Sequence, residues 1–311
     1  MRAMLKGAVP PDPYFASVPV HCKQTNQRQL ADMAFMLPHE VLCQLVEKNG
    51  SCRDFQPVEG HLLEEVRRWA TTMGVPADVV IPLGLHGDGA PFAAKMRDSL
   101  EQCSWNCAAH PGASRCLFVA VPKSAVLGAD TWNALLEIFA WSMRALAVGL
   151  FPSARHDGSP WHDGDVSRAK VSGRAMPCRG ALLQVRGDWA FYKAVFDFPA
   201  WSQKQICWRC EAGRGTEHDF RDCGLSASWR STRLSGVEFL ARQRHSGVTP
   251  SALFQSPGFK VEYCMVDWLR TVDLGVAADA MGHLFDEILP LLVPAASRKD
   301  QAKALFARMK L

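Results

Sequence analysis

The chain has 311 residues, 48% apolar and 21% charged, with a net charge of +4 and a pI near 8.5. This is ordinary globular composition for one large or two ordinary domains, and a mildly basic balance permits nucleic-acid binding without arguing for it. No charge-free run of about 18 apolar residues occurs, so a membrane span is not expected, and the amino terminus lacks the apolar core of a secretory signal, which points to an intracellular protein.

Residues 1–26 are Pro-rich and polar and read as a flexible arm, followed by a helical N-terminal region over 27–75. Within that region LPHEVLCQLVEKNG has Pro38 suited to a first helical turn, an apolar stripe of Val41, Leu42, Leu45 and Val46, and Asn49-Gly50 as a stop. HLLEEVRRWATTMG places Leu62, Leu63, Val66, Trp69, Ala70 and Met73 on one face, with Gly74 closing the helix. The pattern then changes. VVIPLGL (79–85), LEQCSWNC (100–107) and CLFVAVPKSAV (116–126) read as strands. TWNALLEIFAWSMRALAVGLF (131–151) carries only Glu137 and Arg144 as charges and reads as a buried helix. Residues 151–174 are rich in turn formers and read as a flexible loop, including the echo HDGSPWHDGD. ALLQVRGDW (181–189) reads as a further strand, WAFYKAVFDF as a short helix, and 201–260 as an insertion rich in Cys, Trp and Arg. SGVEFLARQRHSG (235–247) reads as a helix inside it, VEYCMVDW (261–268) as a strand and 272–292 as a helix. The chain stops inside a helical pattern, QAKALFARMKL, as a fragment would. This order implies an α/β fold: a mixed sheet with flanking helices, split into 76–200 and 261–295, with a start of a C-terminal helix over 296–311.

Two acids share one local design. Asp88 in HGDG and Asp188 in RGDW each follow an apolar run and a glycine. If the two strands are neighbours, the carboxylates meet, and their repulsion is relieved by a pair of Mg²⁺ or Mn²⁺ ions, which prefer hard oxygen ligands and serve phosphoryl transfer. The glycines would leave room for metal and phosphate. Taken singly, each acid reads as a turn or helix-cap residue.

Cys207 and Cys210 form the one CxxC of eleven cysteines. The odd total and irregular spacing argue against a disulfide framework, and the pair reads as half of a zinc site or as a redox pair. His218, Cys223, Asp267 and His283 are candidates to complete a shell. A third acidic group, Asp267, Asp273, Asp279, Asp286 and Glu287, follows the last strand; Asp279 and Asp286 read as a solvated helix face. Lys95, Arg186, Arg209, Arg214, Arg230 and Arg233, interleaved with Trp189, Trp201, Trp208 and Trp229, could grip phosphates and bases, or serve as surface and core.

HGDGAPF (86–92), RGDW (186–189), ICWRC (206–210) and VDWLRTVDLGV (266–276), in this order, resemble the motifs of cut-and-paste DNA transposases of the CACTA group and the wider set that includes the Transib and RAG-type recombinases. The wording is also similar to transposon-derived proteins of dinoflagellate genomes. The resemblance covers roughly residues 76–295. It implies an RNase H-like core, a DDE/D nuclease and strand-transfer site acting on DNA, Mg²⁺ or Mn²⁺ at the acids, structural Zn²⁺ at the CxxC, a nuclear setting and room for a homo-oligomer. Asp88 matches the first catalytic acid, Asp188 the second, and Cys207 and Cys210 the zinc cysteines. The third acid falls on Glu287 by its distance from Asp267, on Asp273 by its place before Leu274-Gly275, or on Asp267 itself. The family's Asp-x-x-His is Asp267 to Arg270 here, and an arginine cannot ligate zinc. Three functions follow: an active nuclease, a catalytically dead derivative that binds DNA or protein, or a zinc-stabilised interaction module unrelated to nucleic acid.

Overall fold

A computed structural model describes residues 11–91, 99–109, 115–200, 202–222 and 224–265, with isolated positions between 282 and 303. The chain divides into Met1–Met265 and Val266–Leu311. The second unit shows helical positions at 282, 283, 287, 290 and 291; Asp267, Arg270, Asp273, Asp279 and Asp286 lie outside the described residues, as do Lys95, Trp201 and Cys223.

The first unit opens with an antiparallel hairpin, β1 (Tyr14–Cys22) against β2 (Gln27–Phe35), running from Tyr14↔Phe35 to Cys22↔Gln27. Within the arm expected over 1–26 and the helix expected at 27–35, this corrects the described residues from 14 on; residues 1–10 lie outside the described residues. The prolines suggested an arm, but Tyr14, Ala16, Val18 and Val20 alternate along the strand and are all buried, which is the period of a half-buried strand. Two helices follow as expected. In α1 (Pro38–Asn49), Pro38 sits in the first turn and Gly50 closes the helix at φ +74°; in α2 (His61–Met73), Gly74 does so at φ +65°.

The main sheet has four strands in the order β5-β4-β3-β6. β3 (Val80–Pro91) is central, with β4 (Ser99–Cys107) antiparallel on one side and β6 (Arg179–Gly187) parallel on the other; β5 (Cys116–Pro122) continues antiparallel beyond β4. The fold is therefore α/β with a mixed sheet. The crossover from β5 to β6 is carried by α3 (Ala129–Val148), whose apolar residues, including Trp132, Leu135, Leu136, Phe139 and Leu146, are buried. After β6 comes α5 (Trp189–Phe196), and α6 (Gly236–His245) lies in the insertion, opened by a capping box of Ser235 and Glu238. Of the strand expected over 261–268, Val261–Tyr263 form a short 3₁₀ turn, Cys264 bridges Val185 of β6 in parallel, and Met265 N–H donates to Val185 O at 2.8 Å; 266–268 lie outside the described residues. Among the described residues no helix is long and apolar enough to cross a membrane.

The segment 151–174, expected to be flexible, holds the short helix α4 (Val166–Val171) and a buried ionic network. Arg155 pairs with Asp165, and both are over nine-tenths buried. Arg168 bonds Asp165 at 3.0 Å and Glu40 of α1 at 2.7 and 3.0 Å. Tyr14 O–H stands 2.6 Å from His156 Nδ1, with Arg155 stacked 4.6 Å from its ring. Turn-forming composition signalled the backbone and not the charges that anchor it. HDGSPWHDGD is thus a tethered loop in which Asp165 is committed to two arginines.

Candidate functional site

The parallel register of β3 and β6 runs His86↔Arg186 and ends at Gly87↔Gly187. Asp88 is the next residue of β3 and Asp188 the residue that follows β6; the backbones of adjacent strands lie about 4.8 Å apart. The two Gly-Asp motifs are therefore brought together at one level of the sheet. One expectation needs correcting: Asp88 is not at the tip of its strand. β3 continues to Pro91, and Asp88 pairs across with Gln102 of β4. Only β6 ends here, turning through Asp188 into α5.

Side-chain alternation divides the residues of this region between two faces. A Cβ on Gly87 would stand 2.0 Å from the Phe191 ring, and one on Gly187 2.3 Å from it. Both glycines therefore face α5, where the buried Phe191 meets Trp132 of α3 edge-on at 5.5 Å. The room that these two glycines leave is filled by a phenyl ring, not kept for a metal or phosphate as the sequence suggested. Gly89 differs, since a Cβ there would meet only the Glu101 carboxylate at 3.6 Å.

The opposite face is polar along three ladders. Gly84 lies between Asn106 and Gln184, His86 between Ser104 and Arg186, and Asp88 beside Gln102, with Asp188 following Arg186. A Cβ on Gly84 would stand 2.9 Å from Asn106 Oδ1 and 3.5 Å from Gln184 Oε1, which confirms that these side chains share a face. The register slip at Leu83/Gly84 sets Gln184 opposite Gly84 and keeps the polar rows aligned. Arg115 reaches this face and bonds His86 Nδ1 at 3.1 Å, while Arg186 bonds Gln184. Burial, with Arg115 close by, lowers the Arg186 guanidinium from its usual range. His86, Gln102, Ser104 and Arg115 did not enter the sequence reading, although QCSWNC shows the period-two alternation that would have found three of the polar positions.

The carboxylates differ in their partners. Asp88 is half-buried and makes no hydrogen bond or ion pair with another described residue. Asp188 is the N-cap of α5, its Oδ1 accepting from Phe191 N–H at 2.7 Å. That is the cap role open to a single Gly-Asp. That oxygen is thereby committed to the first turn of α5. Carboxylate oxygens are the hard donors that a divalent cation prefers. Among the described residues no cluster of three or more His, Cys, Asp or Glu is arranged for a metal. Glu287 is helical and exposed in the second unit.

The CxxC lies beyond α5. Cys210 is buried and Cys207 half-buried, with Arg209 N–H donating to Cys207 Sγ at 3.3 Å. Burial pushes the Cys210 thiol up to about 11. His218 is engaged elsewhere: Nδ1 stands 3.0 Å from Ser228 Oγ, and Nε2 lies 3.3 Å from Glu211 and 3.5 Å from Glu217. The described residues thus give two thiols of a tetrahedral shell. The tryptophans here are packing groups: Trp208 stacks on Phe198 at 4.6 Å, Trp189 meets Trp208 at 5.5 Å, and Trp229 carries Arg230 at 4.5 Å from its ring.

No family model matches the chain, and no curated protein matches it.

Proposed function

We propose that this chain is a transposase-derived protein with an RNase H-like core and a two-metal DDE/D-type nuclease or strand-transfer site acting on DNA. One observation supports the reading: the register Gly87↔Gly187 of adjacent parallel strands, with Asp88 and Asp188 each the residue that follows the paired glycine. The sheet order β5-β4-β3-β6, with the Cys264 bridge outside β6, supports it, because the first three strands in sequence run antiparallel and the fourth joins the first in parallel after a helix.

In this reading the Asp88 and Asp188 carboxylates would hold Mg²⁺ or Mn²⁺, which when bound would activate water or a 3′-hydroxyl and stabilise the leaving oxygen. Glu287 is the proposed third acid. Gln102 and Ser104 line the same face. The Arg115 and Arg186 guanidiniums offset the two carboxylates, and they suit a phosphodiester as donors. Phe191 excludes water beneath the two glycines. Zn²⁺ at Cys207 and Cys210 would pin the insertion to the core.

The second reading is a catalytically dead derivative that keeps the fold and binds DNA or protein. It is favoured by Asp188, whose carboxylate already has a structural task as a helix cap. Incubating the full chain with supercoiled plasmid and Mn²⁺ separates these readings. Nicking that is lost in Asp88→Asn supports the nuclease. DNA binding without nicking supports the dead derivative, and neither leaves a module unrelated to nucleic acid.

A further inference from the structure

A cavity of about 540 Å³ opens in the insertion, between the end of α5, the CxxC and α6. Its size is within the range of about 300–1,000 Å³ for small-ligand sites. Trp208, Phe239 and Pro199 give it an apolar wall, and Lys193, Lys204 and Arg242 stand around it. Three observations point to what it takes.

The first is charge. Lys193 is neutralised by Asp197. Arg242 bonds only the neutral Gln205, at 2.8 Å, and Lys204 has no ion pair with a described residue. Two cations therefore face the cavity without a matching acid. The imbalance is regional: residues 201–260 hold nine Lys and Arg against five Asp and Glu, a net of +4 that equals the charge of the whole chain.

The second is an orphan acceptor. Gln243 is 8% exposed, lines the cavity and donates its Nε2 to Phe196 O, which fixes the orientation of the amide. Its Oε1 is buried and has no hydrogen-bond partner. The third is an orphan donor. The indole Nε1–H of Trp208, in the same wall, is also buried and without a partner. Buried polar groups are ordinarily paired, and each unpaired one costs about 1–3 kcal/mol.

A ligand that satisfies all three carries negative charge, a flat apolar body, and an edge with both a donor and an acceptor. We infer that the cavity binds a nucleotide unit, its phosphate against Lys204 and Arg242 and its base edge against Gln243 Oε1 and Trp208 Nε1. Every nucleobase presents a donor beside an acceptor, so this pair selects for a base and not for one base. The site is separate from the acidic pair: α5 runs from Asp188 at one end to the cavity at the other, a span of about 12 Å for eight residues. The inference does not depend on metal at Asp88 and Asp188.

The unit can come from a free mononucleotide or from a single strand. The test uses the full chain in EDTA, so failure of the metal reading leaves it unaffected. Equilibrium dialysis measures 5′-AMP, and fluorescence anisotropy measures a labelled single-stranded thymidine octamer. Saturable binding of 5′-AMP that weakens about tenfold or more in Lys204→Glu/Arg242→Glu supports a site open to free nucleotides. Binding of the octamer alone, with the same weakening, supports a strand-binding site. Both substituted positions are exposed, so the variant is expected to fold, and circular dichroism checks that it does. Gln243→Met, which removes the acceptor, is expected to weaken binding further. If neither probe binds, or if binding is unchanged in the double variant, the inference is wrong.

Discussion

Gly87 of β3 and Gly187 of β6 lie directly opposite each other, and both point at the ring of Phe191. This arrangement packs α5 against the sheet at the level where β6 ends and Asp188 begins the turn into α5. A methyl group at position 87 would stand 2.0 Å from a buried aromatic ring that has nowhere to move. Gly87→Ala is therefore expected to destabilise the fold by about 1–3 kcal/mol. Urea denaturation of Gly87→Ala, Phe191→Ala and the double variant checks this, and the double variant should recover much of the loss at position 87. Additive losses would show that the two residues do not meet.

Asp188 has two tasks that substitution can separate. Asparagine caps helices as well as aspartate does, whereas alanine does not, and the lost cap costs about 1 kcal/mol. Asp188→Asn should keep wild-type stability and lose divalent-metal binding. Asp188→Ala should lose both. Thermal denaturation beside metal titration reads the two effects, and equal stability of the two variants would remove the capping role.

His39 gives the fold an acid-sensitive element. It is buried, with Nδ1 2.8 Å from Ser142 Oγ, and burial, aided by Arg168, pulls its pKa from 6.5 down to about 3. Glu40 stands 3.9 Å from the ring but is bonded by Arg168, which cancels its field. A depressed folded value means that the stabilisation is complete above 6.5 and is lost as pH falls towards 3. The slope should be about 1.4 kcal/mol per pH unit across that window. Burial raises the pKa of Glu40, which acts with the opposite sign, so the informative quantity is the difference between wild type and His39→Gln. The variant should show a flatter loss between pH 6.5 and 3 in urea titrations; an identical slope would mean that His39 is not the group.

Much of the sheet was legible in the sequence because its strands are apolar runs bounded by turn formers, α1 and α2 because their stripes end at Gly50 and Gly74, and α3 because its long apolar run carries only Glu137 and Arg144, although the helix stops at Val148 and not at 151. Two features hid the rest. In YFASVPVHC, Pro19 masked a clean alternation, so β1 was read as an arm; proline is tolerated there at the position opposite Leu30 in a two-stranded ribbon. In 151–174 the anchoring ion pairs reach Glu40 and Tyr14, more than a hundred residues away, and no local pattern reports such contacts. The pairing of the two strands that carry the glycines was legible from their repeated Gly-Asp design. The purpose of the glycines was not, since it depends on where α5 packs. His86, Arg115 and Gln102 were passed over because each is unremarkable in sequence and gains meaning only from the register of three strands.

The most direct test of the account is isothermal titration of Mn²⁺ into the full chain beside Asp88→Asn and Asp188→Asn. The predicted result is saturable binding by the wild type that is lost in both variants while their circular dichroism is unchanged, placing the two carboxylates in one site. A folded wild type that takes up no Mn²⁺, or variants that bind it as well as the wild type does, would contradict the metal reading and leave Asp188 a helix cap beside an unrelated acid.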